Sequence, residues 1–223
     1  MTIFEASKSI GDVKTFIRAS LMARTRNLIP KENLKGAAVL IPLCWVEGSA
    51  SIILTKRSME VEHHKGEISF PGGREEPEDA GVLDTALREA FEETGILRDD
   101  VDVLGFLDDY ITIFGFHVTP VVGVIPGPYK FSLNSESDEI VTLAFSDILT
   151  DEKWMSEKTS LKGKDVDIFF IEADKGVIWG ATAKMLKNLA EILLGRAINP
   201  GHLNETARTW MENLFITQTA YKP

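Results

Sequence analysis

A chain of 223 residues with 44% hydrophobic content holds enough apolar material for one good core, and nothing in its length demands two domains. Its formal net charge of −10 argues against broad binding to nucleic acid or to an anionic membrane, and no run of about 18 apolar residues is present to span a bilayer. The single cysteine, Cys44, excludes an internal disulfide and fits a reducing cytoplasm; inside the apolar run 37–46 it reads as a small buried side chain. The start Met1-Thr2-Ile3-Phe4-Glu5 lacks a basic segment followed by a hydrophobic one, so a soluble cytoplasmic protein is expected.

Residues 12–28 show helical spacing through Val13, Phe16, Ile17, Leu21 and Met22, and form a helical extension over 1–35. Strands follow at 37–46 and 51–56, joined as a hairpin across Glu47-Gly48-Ser49. In the stretch 80–94 the apolar positions Val82, Leu83, Ala86, Leu87, Ala90 and Phe91 recur at a spacing of four, and Gly95 stands where a helix ends on a left-handed residue. Further strands are expected at 101–108, 119–125 and 139–145, the last two separated by the turn Pro126-Gly127-Pro128. Residues 181–194 and 203–214 read as helices. Elements in this order predict an α/β protein, a mixed β-sheet between helices, with one domain over 36–200 and a C-terminal helix and tail over 201–223 that belong to it.

Chemistry concentrates in Arg88-Glu89-Ala90-Phe91-Glu92-Glu93-Thr94-Gly95-Ile96. At about 100° per residue, Glu89 and Glu93 lie roughly 40° apart around the helix, and Glu92 roughly 60° further round. Three clustered carboxylates raise one another's pKa values unless a cation compensates, and Arg88, one i,i+4 step before Glu92, does part of this. They could simply be the wet side of an amphipathic helix; against that, Glu89 and Glu93 border the apolar stripe instead of opposing it. The segment Phe70-Pro71-Gly72-Gly73 before the helix adds a second signal, since two glycines let backbone oxygens approach a metal unobstructed. Hard oxygen ligands of this kind favour Mg²⁺ or Mn²⁺, with Glu89 and Glu93 the first ligands and Glu92 the next.

This loop and helix resemble the Nudix box: Gly73, Arg88, Glu89, Glu92, Glu93, Gly95 and Ile96 match its signature. Asp79 stands where the box has an early glutamate, and one extra residue separates it from Arg88; both departures resemble the coenzyme A diphosphatase branch of the family. Leu54-Thr55-Lys56-Arg57-Ser58, Gly66 and Phe70-Pro71-Gly72-Gly73 look like the motif that accompanies the box in that branch, except that Glu62 replaces an arginine, with Lys65 a substitute nearby. Phe116 to Gly123 and Ile178 to Ala183 are also similar, so the resemblance covers about 36–194.

The resemblance implies a Nudix fold and a metal-dependent diphosphatase that splits coenzyme A or acyl-CoA into 4′-phosphopantetheine, or its acyl form, and adenosine 3′,5′-bisphosphate. Another nucleoside diphosphate linked to X is the alternative that Glu62 keeps open, and a non-catalytic binding module is disfavoured by the intact carboxylates. The Gly73 carbonyl would join the metal ligands, and Arg88, Glu92 and Glu93 would serve catalysis. A general base is expected at Glu139, with Glu136 and Asp138 as rivals, because Asp138-Glu139-Ile140-Val141 opens a strand. Substrate contacts are expected from Lys56, Arg57, His64, Phe70 and Gly72. The adjacent His63 and His64 point opposite ways on extended chain, which disfavours a shared metal site. The partner is thus a small nucleotide-type molecule, and a homodimer is compatible with the sequence.

Overall fold

The computed structural model describes residues 9–61, 64–161 and 164–209. Helix α1 (Ile10–Met22) opens on Ser9, whose hydroxyl oxygen accepts from the Asp12 N–H, and buries Val13, Ile17 and Leu21. It ends well before residue 28, the expected limit, because two aspartates hold the following chain extended. Asp108 accepts from the Asn27 N–H at 2.8 Å and Asp109 from the Ile29 N–H at 3.0 Å, while Arg24 and Arg26 pair with the same two carboxylates.

Strands β1 (Lys35–Val46) and β2 (Ser49–Arg57) form the expected hairpin. Glu47 and Gly48 both take positive φ, 48° and 84°, as a two-residue turn between twisted strands requires. Beyond the Leu43–Ile52 pair β1 and β2 part, and residues 68–74 fill the fork: β3 (Ile68–Ser69) pairs with β2, and β4 (Gly72–Arg74) pairs with β1. Helix α2 (Val82–Thr94) follows and stops at Gly95 in the left-handed region, φ 73°. Strands β5 (Asp102–Phe106), β6 (Tyr110–Ile111), β7 (Phe116–Val124) and β8 (Ser137–Ala144) complete an eight-stranded sheet. Within it β7 runs parallel to β1, and β8 pairs antiparallel with β2.

A second sheet departs from the expectation, which placed no strand between 146 and 180. After the short helix α3 (Phe145–Ile148), strands β9 (Trp154–Leu161), β10 (Lys164–Ala173) and β11 (Gly176–Trp179) run antiparallel, and β12 (Gly201–His202) joins β9. Helix α4 (Gly180–Leu194) lies between β11 and β12 in the chain. Residues 205–209 are helical; the remainder of the helix expected over 203–214 lies outside the described residues.

The large sheet is therefore covered on both faces, but by unequal layers. On one face α2 presses Ala86, Leu87 and Ala90 against Ala38, Leu40, Ile53 and Val121. On the other, α1, α4 and the second sheet share a larger core that contains Ile17, Leu54, Val141, Trp154, Ile171 and Leu189. Cys44 is buried in the smaller core. Among the described residues no helix is long and apolar enough to cross a membrane.

Candidate active site

The fork in the sheet brings the two glycines under α2. Gly72 and Gly73 pair with Val39 and Ala38 of β1. A Cβ at Gly72 would fall 2.5 Å from the Ala38 carbonyl oxygen, and one at Gly73 would fall 2.4 Å from Glu89 Oε1. Glycine at 73 thus lets the Glu89 carboxylate lie directly on the strand backbone. One turn along the helix, Glu93 is 5% exposed, a rare degree of burial for a carboxylate.

Burial is the main reason the Glu93 carboxyl is pushed up to about 8; the charges of Glu89 and Glu136 add to it, while Arg57 and the Gly72 amide oppose it. Glu89 is raised as well, first by burial and then by Glu92 and Glu136, against the pull of Arg88. Protein cations thus leave this group of acids short of positive charge. Arg88 is committed elsewhere: its Nε donates to Asp79 at 2.9 Å and its Nη2 to the Arg74 carbonyl at 2.9 Å, while Nη1 lies 3.2 Å from Glu92 and 3.1 Å from Glu89. Asp79 also accepts from the Thr85 hydroxyl at 2.8 Å and the Glu76 N–H at 2.9 Å, and Arg88 holds its carboxyl well below the usual range. The Asp79–Arg88 pair ties the loop to the helix.

The hard-oxygen chemistry fits a divalent cation. Glu93 and Glu89 supply carboxylates one turn apart, and Gly73 keeps the space above its backbone clear for them. Among the described residues no three acidic or imidazole side chains already converge at ion-ligating distance, and Glu92, about half exposed, is turned to Arg88. The residues that would hold the ion are Glu89, Glu93 and the Gly73 carbonyl.

The NUDIX domain family matches residues 34–168. The chain belongs to the Nudix family. It is 34% identical over 161 residues to the Nudix hydrolase NudL of Photorhabdus laumondii, covering 72% of this chain and 86% of that one. NudL of Yersinia pestis is 34% identical over 157 residues, covering 70% and 78%. A solved NUDIX hydrolase from Nitrosomonas europaea superposes with TM-score 0.46 and 16% identity, over 78% of this chain and 80% of that one. The protein is a Nudix hydrolase, an enzyme of the diphosphatase kind that acts on nucleoside diphosphate derivatives, in a family that generally uses Mg²⁺ or Mn²⁺.

In Nudix terms the box residues Gly73, Arg88, Glu89, Glu92 and Glu93 come together, and the early aspartate at 79 serves as the anchor of Arg88. In the sequence Asp79 stands out only as a departure from the box; the signal for its role is an acid ahead of an arginine that needs a fixed orientation. Arg57 reaches the cluster: it bonds Glu136 at 3.3 Å and acts on the charge of Glu93. Glu136 raises both Glu89 and Glu93, so this rival, not Glu139, is the distal acid beside the box.

Glu139 lies elsewhere. It pairs with Lys56 across β2 and β8, bonds Lys56 at 3.2 Å and Lys175 at 2.9 Å, and shares its face with Leu54 and Val141 of the larger core. Ile53 and Ile140, on the opposite face, pack with α2. Strand alternation therefore turns both Lys56 and Glu139 away from the carboxylate helix. Phe70 is also withdrawn from any substrate, being 3% exposed in the larger core. His64 stays at the rim, with Nδ1 3.0 Å from Glu67. His117 is buried on β7, its Nε2 against the Ile29 carbonyl at 2.8 Å and Asp109 at 3.1 Å, so its ring is engaged within the fold. Glu62 and His63 lie outside the described residues.

Proposed function

We propose that this Nudix hydrolase cleaves the diphosphate of coenzyme A or its thioesters, releasing 4′-phosphopantetheine or its acyl form and adenosine 3′,5′-bisphosphate. The observation that carries the reading is the packing of two motifs into one place. The Leu54-Thr55-Lys56-Arg57-Ser58 segment runs down β2 beside β3, and the Arg57 N–H donates to the Glu67 carbonyl at 2.9 Å. From there the chain passes through Phe70-Pro71 to the two glycines under Glu89 and Glu93. The segments whose resemblance points to coenzyme A are thus neighbours of the acids that would hold the metal.

A bound divalent ion neutralises diphosphate oxygens and lowers the pKa of the attacking water. Of the chain's own groups, Arg57 stands beside Glu93 where a phosphate charge would be met, and Asp79 with Arg88 keeps helix and loop in register. We assign the proton-accepting role toward water to Glu136, whose N–H bonds Asn134 next to the Glu93 carbonyl and whose charge acts on Glu89. Comparing kcat/KM for coenzyme A, dephospho-coenzyme A, ADP-ribose and UDP-glucose tests the substrate. A strong preference for coenzyme A over its dephospho form is expected, and equal turnover of the two refutes the assignment. The second reading, another nucleoside diphosphate linked to X, rests on Glu62 at the position where the coenzyme A motif has arginine, and preferential turnover of ADP-ribose or UDP-glucose would establish it.

A further inference from the structure

Exposed apolar side chains gather at one corner of the molecule. Among the described residues, Ile111, Ile113 and Phe114 stand on or beside the hairpin tip between β6 and β7, at 42%, 60% and 63% exposure, and Met59 stands 53% exposed on the turn after β2. Phe114 meets the His64 ring edge to face at 5.4 Å, and the Met59 sulfur lies over Gly66, 3.1 Å from where a Cβ would be. Tip and turn therefore approach each other across residues 64–66. Single exposed hydrophobics need no account, whereas a contiguous group points to something that covers it.

The tip is tied down. The Thr112 N–H donates to the Phe116 carbonyl at 2.9 Å, the Gly115 N–H to the Thr112 carbonyl at 3.0 Å, and the Phe116 N–H to the Thr112 hydroxyl at 3.1 Å, with Gly115 at φ 80°. Opposite it, His64 is held at φ 59°, an uncommon conformation for a residue with a Cβ, by the bond of its ring to Glu67. The backbone that carries Ile113 and Phe114 is thus fixed before a ligand arrives.

This corner adjoins the carboxylate site. The Gly66 N–H donates to the Arg57 carbonyl at 3.1 Å; the Arg57 side chain bonds Glu136 at 3.3 Å, the Glu136 N–H donates to Asn134 Oδ1 at 2.9 Å, and the Asn134 N–H donates to the Glu93 carbonyl at 3.4 Å. From the base of the tip, Phe116 carries the Arg74 guanidinium over its ring at 5.1 Å, next in sequence to Gly73. Ile113, Phe114 and Met59 offer no hydrogen-bonding group to a sugar hydroxyl or the edge of a base. From Glu93 the contacts run through Asn134 and Glu136 to Arg57, and from Arg57 through Gly66 to Met59.

We infer that Phe114, Ile113 and Met59, backed by His64, form a subsite for an apolar hydrocarbon arm carried on the substrate's diphosphate. A diphosphate head at Arg57 with a hydrocarbon tail across the tip matches that order. The inference rests on the diphosphatase reading above and names a substrate class beyond coenzyme A, whose diphosphate bears an amide-containing arm in place of a hydrocarbon.

The test is calorimetric titration of the full chain, with Mg²⁺, using n-alkyl esters of methylenebisphosphonate from butyl to dodecyl, which cannot be hydrolysed at the bridge. In the wild type, affinity rises with chain length; in Phe114→Ala the dodecyl-to-butyl affinity ratio falls about 10-fold. Met22→Ala, more exposed still but outside the cluster, keeps the wild-type ratio. A ratio unchanged by Phe114→Ala, or no dependence on chain length in the wild type, overturns the subsite. Sedimentation with phosphatidylcholine–phosphatidylserine vesicles that is lost in Phe114→Ala, combined with no chain-length effect, would assign the tip to a membrane surface and also overturns it. Failure of the coenzyme A panel alone leaves these titrations to decide the subsite separately.

Discussion

Replacing Glu93 by Gln should stabilise the metal-free protein while abolishing its response to metal. The carboxyl ionises near 8 in the folded chain, against 4.5 in the absence of the fold, and burial is the leading cause. Between those two values the folded state holds a proton that the unfolded state has released, so metal-free stability falls as pH rises across the window. Each pH unit costs about 1.4 kcal/mol, which makes about 2 to 3 kcal/mol between pH 5.5 and 7.5. For a chain of this size that is roughly 5 to 10 °C in Tm. Glutamine has nearly the same shape and no charge to desolvate, so the Glu93→Gln curve lacks this decline. Thermal unfolding in EDTA at the two pH values should therefore show the variant gaining on the wild type as pH rises. Added Mg²⁺ should raise the wild-type Tm more at pH 7.5 than at 5.5, because the ligand must be deprotonated, and should leave the variant nearly unmoved. Parallel pH curves for the two proteins would refute the claim that burial holds the Glu93 proton.

Three further outcomes follow from the same geometry. Gly73→Ala puts a methyl group into the Glu89 carboxylate, so kcat should drop by about 100-fold or more with Tm nearly kept, as measured by turnover and calorimetry in parallel. Asp79→Ala leaves Arg88 partly buried without its main partner and should cost about 3 kcal/mol in urea unfolding, along with most of the activity. Glu136→Gln should lower kcat by about 100-fold or more, whereas Glu139→Gln should stay within a few-fold of wild type; the reverse order in a kcat comparison would return the distal acid to Glu139.

Much of the site was legible because it obeys local rules. The helix at 82–94 carries its apolar stripe, its acids and its terminal glycine within one stretch, and the glycine pair announces a close backbone approach. What escaped depends on register. Glu139 and Glu136 are three residues apart in sequence, and the face each occupies is set by β8 pairing with β2 and by an irregularity that pairs Arg57 with Ser137 after Lys56 with Glu139. No periodicity in the chain shows such a shift. The second sheet was missed for a related reason: of β9, Trp154 and Met155 are buried while Glu157, Lys158 and Ser160 are exposed, so its apolar signal is confined to one end. Trp154 owes its place to the core that α4 brings from the far side of the chain. Helix α1 was found but overextended, because the pull of Asp108 and Asp109 comes from residues remote in sequence.

The glycine pair is woven into the sheet, each residue aligned with a partner on β1, while β2 leaves the same sheet at Arg57 and β3 takes it up again at Ile68. The carboxylate site and the apolar corner are consequently anchored apart. On the subsite proposed above, changes around Met59 and His64 would retune which molecules are admitted without displacing the strand backbone beneath Glu89, so that new preferences can be acquired around an unmoved reaction centre.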